Sequence, residues 1–438
     1  MSKILLGCIA DDFTGATDLA NNLVRAGMRV VQTNGVPTQP LSAEVDAIDA
    51  IVIALKTRTI SPADAIAQSL AALQWLKSAG SRQIYFKYCS TFDSWYGADN
   101  DGKRGNIGPV TEALMDAMGA DFTIATPAFP DNGRTVFKGH LFVGDVLLSE
   151  SSMKTHPLTP MRDANLVTVM QAQCKRKVGL IDYRTVAAGF IAIQSRIAEL
   201  KSQGVGIAIV DAISNEDLIR LGTALADLPL VTAGSGVAIG LPQNFGIDAK
   251  NTSQAAALPV AKGYQAVVSG SCSQATNAQV AVWQASRRPH KALNLAEILG
   301  SDAQLHAEVQ NVLSWAKPLL PNGPVLIYST ADAASVKTTQ SALGSDATGA
   351  RVEQALSAIA KGLVELGVQQ LVVAGGETSG ACVQALGVEQ MQIGPQIDTG
   401  VPWCYGFSNA TDANIHLTLK SGNFGTTDFF AKAFDMLK

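Results

Sequence analysis

Two adjacent carboxylates, Asp11 and Asp12, come directly after an apolar run, Ile4–Ala10, and just before Thr14 and Gly15. Neighbouring carboxylates repel each other and add little to folding. At the point where a strand gives way to a helix they can hold a cation or take the proton of a substrate hydroxyl. Capping of the following helix by one of them is the plainer alternative. A second polar group ends another apolar run. Lys87 closes Gln83–Lys87, and Ser90, Thr91 and Asp93 lie just beyond it. An edge lysine that only snorkels to solvent would look the same. Arg134 sits in the turn-rich stretch Pro127–Thr135. Its planar fork suits a carboxylate or a phosphate, or else a surface salt bridge.

The C-terminal part carries a different chemistry. Ser269-Gly270-Ser271-Cys272-Ser273 follows one apolar run, and Gly375-Gly376-Glu377-Thr378-Ser379-Gly380 follows another. Each leads into a helical pattern. Glycines let backbone approach a phosphate, and the free N–H groups and dipole of a helix start favour an anion. Lys420–Gly425 is a third glycine-rich turn of this kind. A tight structural turn is the alternative for each, and three of them in one small region strengthen the anion reading.

The elements that must hold these residues follow from periodicity. Short apolar runs alternate with amphipathic helical patterns along the whole chain, which predicts an α/β protein with mainly parallel sheets. Strands are expected at Val30–Thr33, Ile51–Leu55, Gln83–Lys87, Phe122–Thr126, Val136–Val143, Val178–Ile181, Gly206–Val210, Val325–Tyr328 and Leu371–Ala374. A helix is expected over Pro62–Ser78, with Ser61 as its cap and Pro62 at its first position, and another over Val186–Gln203. Residues 244–262 lose all periodicity, so domains are expected at 1–243 and 263–438. Ligands of such sheets bind outside the carboxyl ends of the strands, where all the polar groups above fall.

Composition narrows the function. A net charge of −4 over 438 residues carries no broad footprint for nucleic acid. No apolar run reaches the ~18 residues a membrane span needs. The six cysteines form no CxxC pair, and the N-terminal run leads into Asp11-Asp12 rather than a leader cleavage site. The cytoplasm is the expected compartment. The sequence has no Walker P-loop, protein-kinase set, G-x-S-x-G elbow or dinucleotide fingerprint.

IADDFTGATD, FKYCSTFDS, GNIGPV, ATPAFPDNGRTVFKGHLFVGD, VTAGSGVAIGLP, SGSCSQATNAQV, VVAGGETSGACVQALG and LKSGNFG together resemble the four-carbon acid sugar kinases, most closely the 3-oxo-tetronate 4-kinase branch. The resemblance runs nearly end to end. It implies an acid-sugar domain followed by an ATP domain, with the active site in the cleft between them. It also implies phosphorylation of the C4 hydroxyl of a four-carbon sugar acid by ATP with Mg²⁺. By motif it assigns the acid-sugar site to Asp11, Asp12, Thr14, Lys87, Ser90, Thr91, Asp93, Asn132 and Arg134. Asp12 is favoured as the proton acceptor, with Asp11 and Asp93 behind it. ATP falls to Ser269, Ser271, Gly375, Gly376, Glu377, Thr378, Ser379 and Gly422. No metal ligand is identified, and a homo-oligomer is compatible with the sequence. In that family few residues separate FDS from GNIGPV, whereas residues 95–104 lengthen the loop here. A D-threonate or D-erythronate 4-kinase is the alternative substrate reading. A dinucleotide-dependent oxidoreductase and a two-lobed sugar-acid binding protein are the alternatives from other classes.

Overall fold

The computed structural model describes residues 4–38, 41, 48–93, 105–156, 159–329 and 345–437. The lengthened stretch 95–104 lies outside these. The chain divides into two units, Met1–Ala256 and Ala257–Lys438, each an α/β structure.

In the first unit the main strands are β1 (Leu6–Ala10), β2 (Val30–Asn34), β3 (Ala50–Ala54), β4 (Gln83–Lys87), β5 (Thr123–Thr126), β9 (Lys177–Ile181), β10 (Val205–Val210) and β11 (Leu230–Ala233). They run in the order β2-β3-β1-β4-β11-β5-β10-β9, and every pairing is parallel. β1 is buried along its whole length, as a strand covered on both faces must be. The chain passes from β1 to β2 and β3 on one side, then to β4 on the other. That reversal makes the carboxyl end of β1 a topological switch point, where the crevice of such sheets opens.

Two local expectations are refined. The run Val136–Val143 is a hairpin: β6 (Arg134–Phe137) and β7 (His140–Val143) pair antiparallel, and β8 (Val146–Leu147) joins them. Lys138 and Gly139 both take positive φ, 50° and 73°, as a tight hairpin turn requires. Buried Asp211 accepts the backbone N–H groups of both, at 2.7 and 2.8 Å. The helical run from Val186 is broken into Tyr183–Ala187 and Phe190–Ser202 by Gly189, at φ 92°. The helix Pro62–Ser78 forms as expected, with Ser61 Oγ accepting Asp64 N–H at 3.2 Å.

In the second unit, β12 (Tyr264–Ser269), β13 (His290–Ala292), β14 (Val325–Tyr328), β15 (Val368–Ala374), β16 (Gln390–Asp398), β17 (Val401–Ser408) and β18 (Ala413–Lys420) run in the order β13-β14-β12-β15-β18-β17-β16. The first five in that order are parallel neighbours, while β17 pairs antiparallel with both β18 and β16. The β16–β17 ribbon was not legible in the sequence, because Gly394, Pro395 and Pro402 interrupt its apolar pattern. Trp283, Trp403, Phe429, Phe430 and Phe434 gather in one core with Val267 and Val372. The Trp403 indole N–H is satisfied by Ala433 O at 2.8 Å.

Candidate active site

The parallel register of the first unit brings its polar residues to one edge. Ala10 stands beside Ala54 of β3 and Lys87 of β4, and Lys87 stands beside Ala233 of β11. The segments leaving these strands therefore emerge together. Asp11 and Asp12 follow β1, Arg58 follows β3, Ser90–Asp93 follow β4 and Ser235 follows β11.

An ion-pair cluster forms there. The Arg58 fork donates to both oxygens of Asp11 at 2.9 Å and to Asp12 Oδ1 at 2.6 Å. Lys87 Nζ lies 3.3 Å from the same Asp12 oxygen, and Thr14 Oγ1 donates to the other at 3.0 Å. Asn106 fixes the segment that carries Arg58, donating to Thr57 O at 2.7 Å and Ile60 O at 2.9 Å. Asp12 occupies the N-cap position of the helix Phe13–Arg25 but makes no capping hydrogen bond. Its carboxylate is turned to the cations, and the nearby Gly15 amide also favours its charged form. Gly15 leaves the space this needs. A Cβ there would fall 1.7 Å from Lys87 Nζ and 2.1 Å from Asp12 Oδ1.

The fields differ sharply from group to group. Burial alone would raise Asp12, but Arg58 and Lys87 outweigh it and hold the carboxyl well below the usual range. Burial raises Asp11 against the opposing pull of Arg58 and Lys87. Its two 2.9 Å contacts are those of a carboxylate on a guanidinium. Lys87 is almost fully buried, and its charge is kept by Asp12 and Asp11 against the pull of burial.

Asp18, one helical turn beyond Thr14, went unread in the sequence. Burial raises its carboxyl to about 6, against the opposing influence of Lys87 and Ser235. Ser235 Oγ donates to Asp18 Oδ2, while Asp18 Oδ1 is buried without a hydrogen-bond partner. Ser235 lies in the small-residue turn after β11. Gly236 beside it does serve close packing, since a Cβ there would meet Ala128 O at 2.2 Å.

Thr91 and Asp93 are buried and paired, Thr91 Oγ1 donating at 2.7 Å, with half-buried Ser90 on the same turn. Asn132 ends the short turn Pro130–Asn132, and Arg134 donates to its carbonyl. Burial lowers Arg134, which sits in the fields of Cys89, Asp18 and Asp93. Asn132 Nδ2 and Arg134 Nε are buried donors with no partner. Orphaned buried donors are costly, and here they belong to groups suited to hydroxyls and carboxylates.

The second unit gathers its glycine loops in the same manner. Ser269, Ala374 and Lys420 end β12, β15 and β18 side by side. Gly270 N–H donates to Ala374 O at 2.9 Å, and Gly375 N–H to Lys420 O at 2.8 Å. The loops touch so closely that a Cβ on Gly270 would meet Thr378 Oγ1 at 2.2 Å and one on Gly422 would meet Ser271 Oγ at 2.5 Å. Gly375 takes φ 125° just before the helix Gly376–Leu386. Gly376 and Glu377 are exposed at that helix start, while Thr378 and Ser379 are buried and Ser379 Oγ has no partner. Ser273 caps the helix Gln274–Ala285 through Thr276 N–H at 3.2 Å. Every sequence-predicted ATP residue thus lies at or just beyond one of three adjoining strand ends, with Gly376–Ser379 in the first turn of the helix.

Two family models match the chain in succession, a sugar-binding N-terminal domain over residues 6–241 and a nucleotide-binding C-terminal domain over residues 266–430. The chain belongs to the four-carbon acid sugar kinase family. Its curated relatives are named 3-oxo-tetronate kinase. One from Burkholderia multivorans is 57% identical over 100% of this chain and 98% of its own length, and one from Pseudomonas fluorescens is 54% identical over 99% and 97%. Among solved structures, a Salmonella typhimurium LT2 protein described as a putative tRNA synthase superposes with a TM-score of 0.85 at 42% identity, covering 99% of both chains. A Haemophilus influenzae protein superposes with a TM-score of 0.77 at 45% identity, over 99% of this chain and 100% of its own.

Proposed function

We propose that this chain is an ATP-dependent 3-oxo-tetronate 4-kinase, transferring the γ-phosphoryl group to the C4 hydroxyl of a four-carbon sugar acid. End-to-end identity with relatives of that name supports the activity. The observation that carries the placement of the acid is the set of unpartnered buried groups, Asn132 Nδ2, Arg134 Nε and Asp18 Oδ1, around the Lys87 ion pairs. Asp18 here lies in the fields of both Lys87 and Arg134, and buried polar groups are usually partnered. A small molecule with several hydroxyls and a carboxylate would satisfy them.

Phosphoryl transfer depends on positioning and charge more than on covalent chemistry. In this reading Arg134 and Lys87 hold the acid's carboxylate or offset phosphate charge, and Ser90, Thr91 and Asn132 read its hydroxyls. Asp12, fixed by Arg58 and Lys87, orients the C4 hydroxyl and accepts its proton as the bond to phosphorus forms. Its suppressed basicity is compatible with a late proton transfer. ATP lies on the loops of Ser269, Ser271, Gly375–Ser379 and Gly422. Among the described residues no group of three His, Cys, Asp or Glu side chains is placed to cage a metal ion. Mg²⁺ carried on the phosphates of ATP, as that ion usually is, would supply charge neutralisation there.

The test is ADP formation with Mg·ATP and a panel of 3-oxo-tetronate, D-threonate and D-erythronate. Turnover is expected to be greatest with 3-oxo-tetronate. Greater turnover with either of the others would move the substrate assignment, and no ADP with any C4 acid would sink the kinase reading.

A further inference from the structure

We infer that Lys420 is the positioning residue of the nucleotide site, holding the Gly422 loop and placing an uncompensated positive charge beneath the polyphosphate. This rests on the reading of the second unit as the ATP domain. Lys420 is fully buried at the end of β18. Its Nζ donates to Thr276 Oγ1 and Ser421 O at 3.0 Å, and to Gly422 O and Phe424 O at 3.1 Å. Its own carbonyl accepts the Gly375 N–H. One residue thereby ties together two of the three glycine loops and, through Thr276, the helix that Ser273 caps.

The surroundings call for a cation. An ammonium has three N–H groups for these four acceptors, whereas a neutral amine has only two. Yet among the described residues no carboxylate pairs with Lys420, and burial draws it down to about 7. An unpaired buried charge is expensive for folding, and an apolar side chain of similar length would pack there at lower cost. The loop has other anchors: Gly422 O also accepts from Ser273 Oγ and Thr276 Oγ1, and Gln279 donates to Phe424 O. Of the residues assigned to ATP only Glu377, exposed at its helix start, is charged, and it is acidic, so these residues offer no cation. A bound polyphosphate is what the ammonium lacks.

Lys420→Met, Thr276→Val and Gly376→Val are compared with the unaltered chain for thermal midpoint, Mg·ATP affinity by calorimetry, and KM for each substrate. Lys420→Met is expected to keep or raise the midpoint. Its KM and Kd for Mg·ATP should rise at least ~10-fold while KM for the acid stays within about twofold. Thr276→Val is expected to weaken ATP about 2–5-fold through its lost hydroxyl. Lys420→Met with unchanged ATP affinity overturns the inference, as does a parallel loss of stability and of affinity for both substrates. Should Lys420→Met fail to fold, unchanged ATP affinity in Thr276→Val overturns it instead. If Gly376→Val weakens ATP and Lys420→Met does not, this inference alone fails. If neither does, the ATP-domain reading falls with it.

Discussion

Asp12 and Asp18 lie on one stretch of chain, Asp18 buried and Asp12 partly so, and are driven in opposite directions. Asp12 has two cations against it and is ionised at any working pH. Asp12→Asn should lower kcat by ~10²–10⁴-fold, the usual range for a lost proton acceptor, with the Kd for Mg·ATP unchanged. Near-full turnover on every C4 acid would transfer the role to Asp11 or Asp93. Asp18 sits at about 6, above its unfolded value of 3.8. Below pH ~4 it is protonated in both states and its burial carries no ionic cost. As pH rises through 6 the folded protein must ionise it, and that part of the stability is lost. Asp18→Asn escapes the loss. Its stability relative to the parent should therefore grow from near zero at pH 4 to about 1–3 kcal/mol at pH 7.5, while KM for the acid rises. Urea unfolding at the two pH values measures this, and a pH-independent difference would refute it.

At the scale of elements, the start of the helix Phe13–Arg25 is shaped by the ion pair it carries. Helix propensity favours alanine over glycine by about 1 kcal/mol, so Gly15→Ala would stabilise a helix judged alone. The Cβ would instead enter the space of Lys87 Nζ and Asp12 Oδ1. Gly15→Ala should cost about 1–3 kcal/mol, as overpacking does, and raise KM for the acid at least ~10-fold. A thermal midpoint above the parent's would show that the ion pair moves aside freely. At the other candidate site, Gly376 is exposed at its helix start. Gly376→Val should raise KM for ATP with the fold intact, and unchanged ATP kinetics would count against the loop's role. Asp12, Lys87 and Gly375 were legible because each follows an apolar run that reads as a buried strand. Arg58 was not, although it follows β3 on the same edge, since nothing in Lys56-Thr57-Arg58 tells a rim cation from a solvated one. The pairing of Ser235 with Asp18 was not legible, because the two are 217 positions apart. Lys420 passed for the start of a loop, its burial being set by side chains of a distant helix.

For the molecule as a whole, the proposal divides two ligands between two units. The net charge of −4 offers no general attraction to ATP or to a sugar acid, so each must be met by local donors. That makes the footprints separable by hydrogen exchange, since a ligand that orders a loop slows the opening of its amides. Mg·ATP should protect residues 269–273, 375–379 and 420–426, where backbone N–H groups and hydroxyls converge without a cation at the surface. The sugar acid alone should protect 11–15, 57–58, 87–93 and 132–134, where the ion-pair cluster and the unpartnered donors of Asn132 and Arg134 lie. Each ligand at about 100 times its Kd should also stabilise the protein by about 2.7 kcal/mol. Mg²⁺ without nucleotide should do neither, because in this reading the ion is carried by the phosphates of ATP. Protection of the Asp11–Gly15 segment by Mg·ATP alone, with 375–379 unaffected, would reverse the assignment of the two ligands. Stabilisation by Mg²⁺ alone would reveal a protein-held metal and change the role given to Asp11 and Asp12.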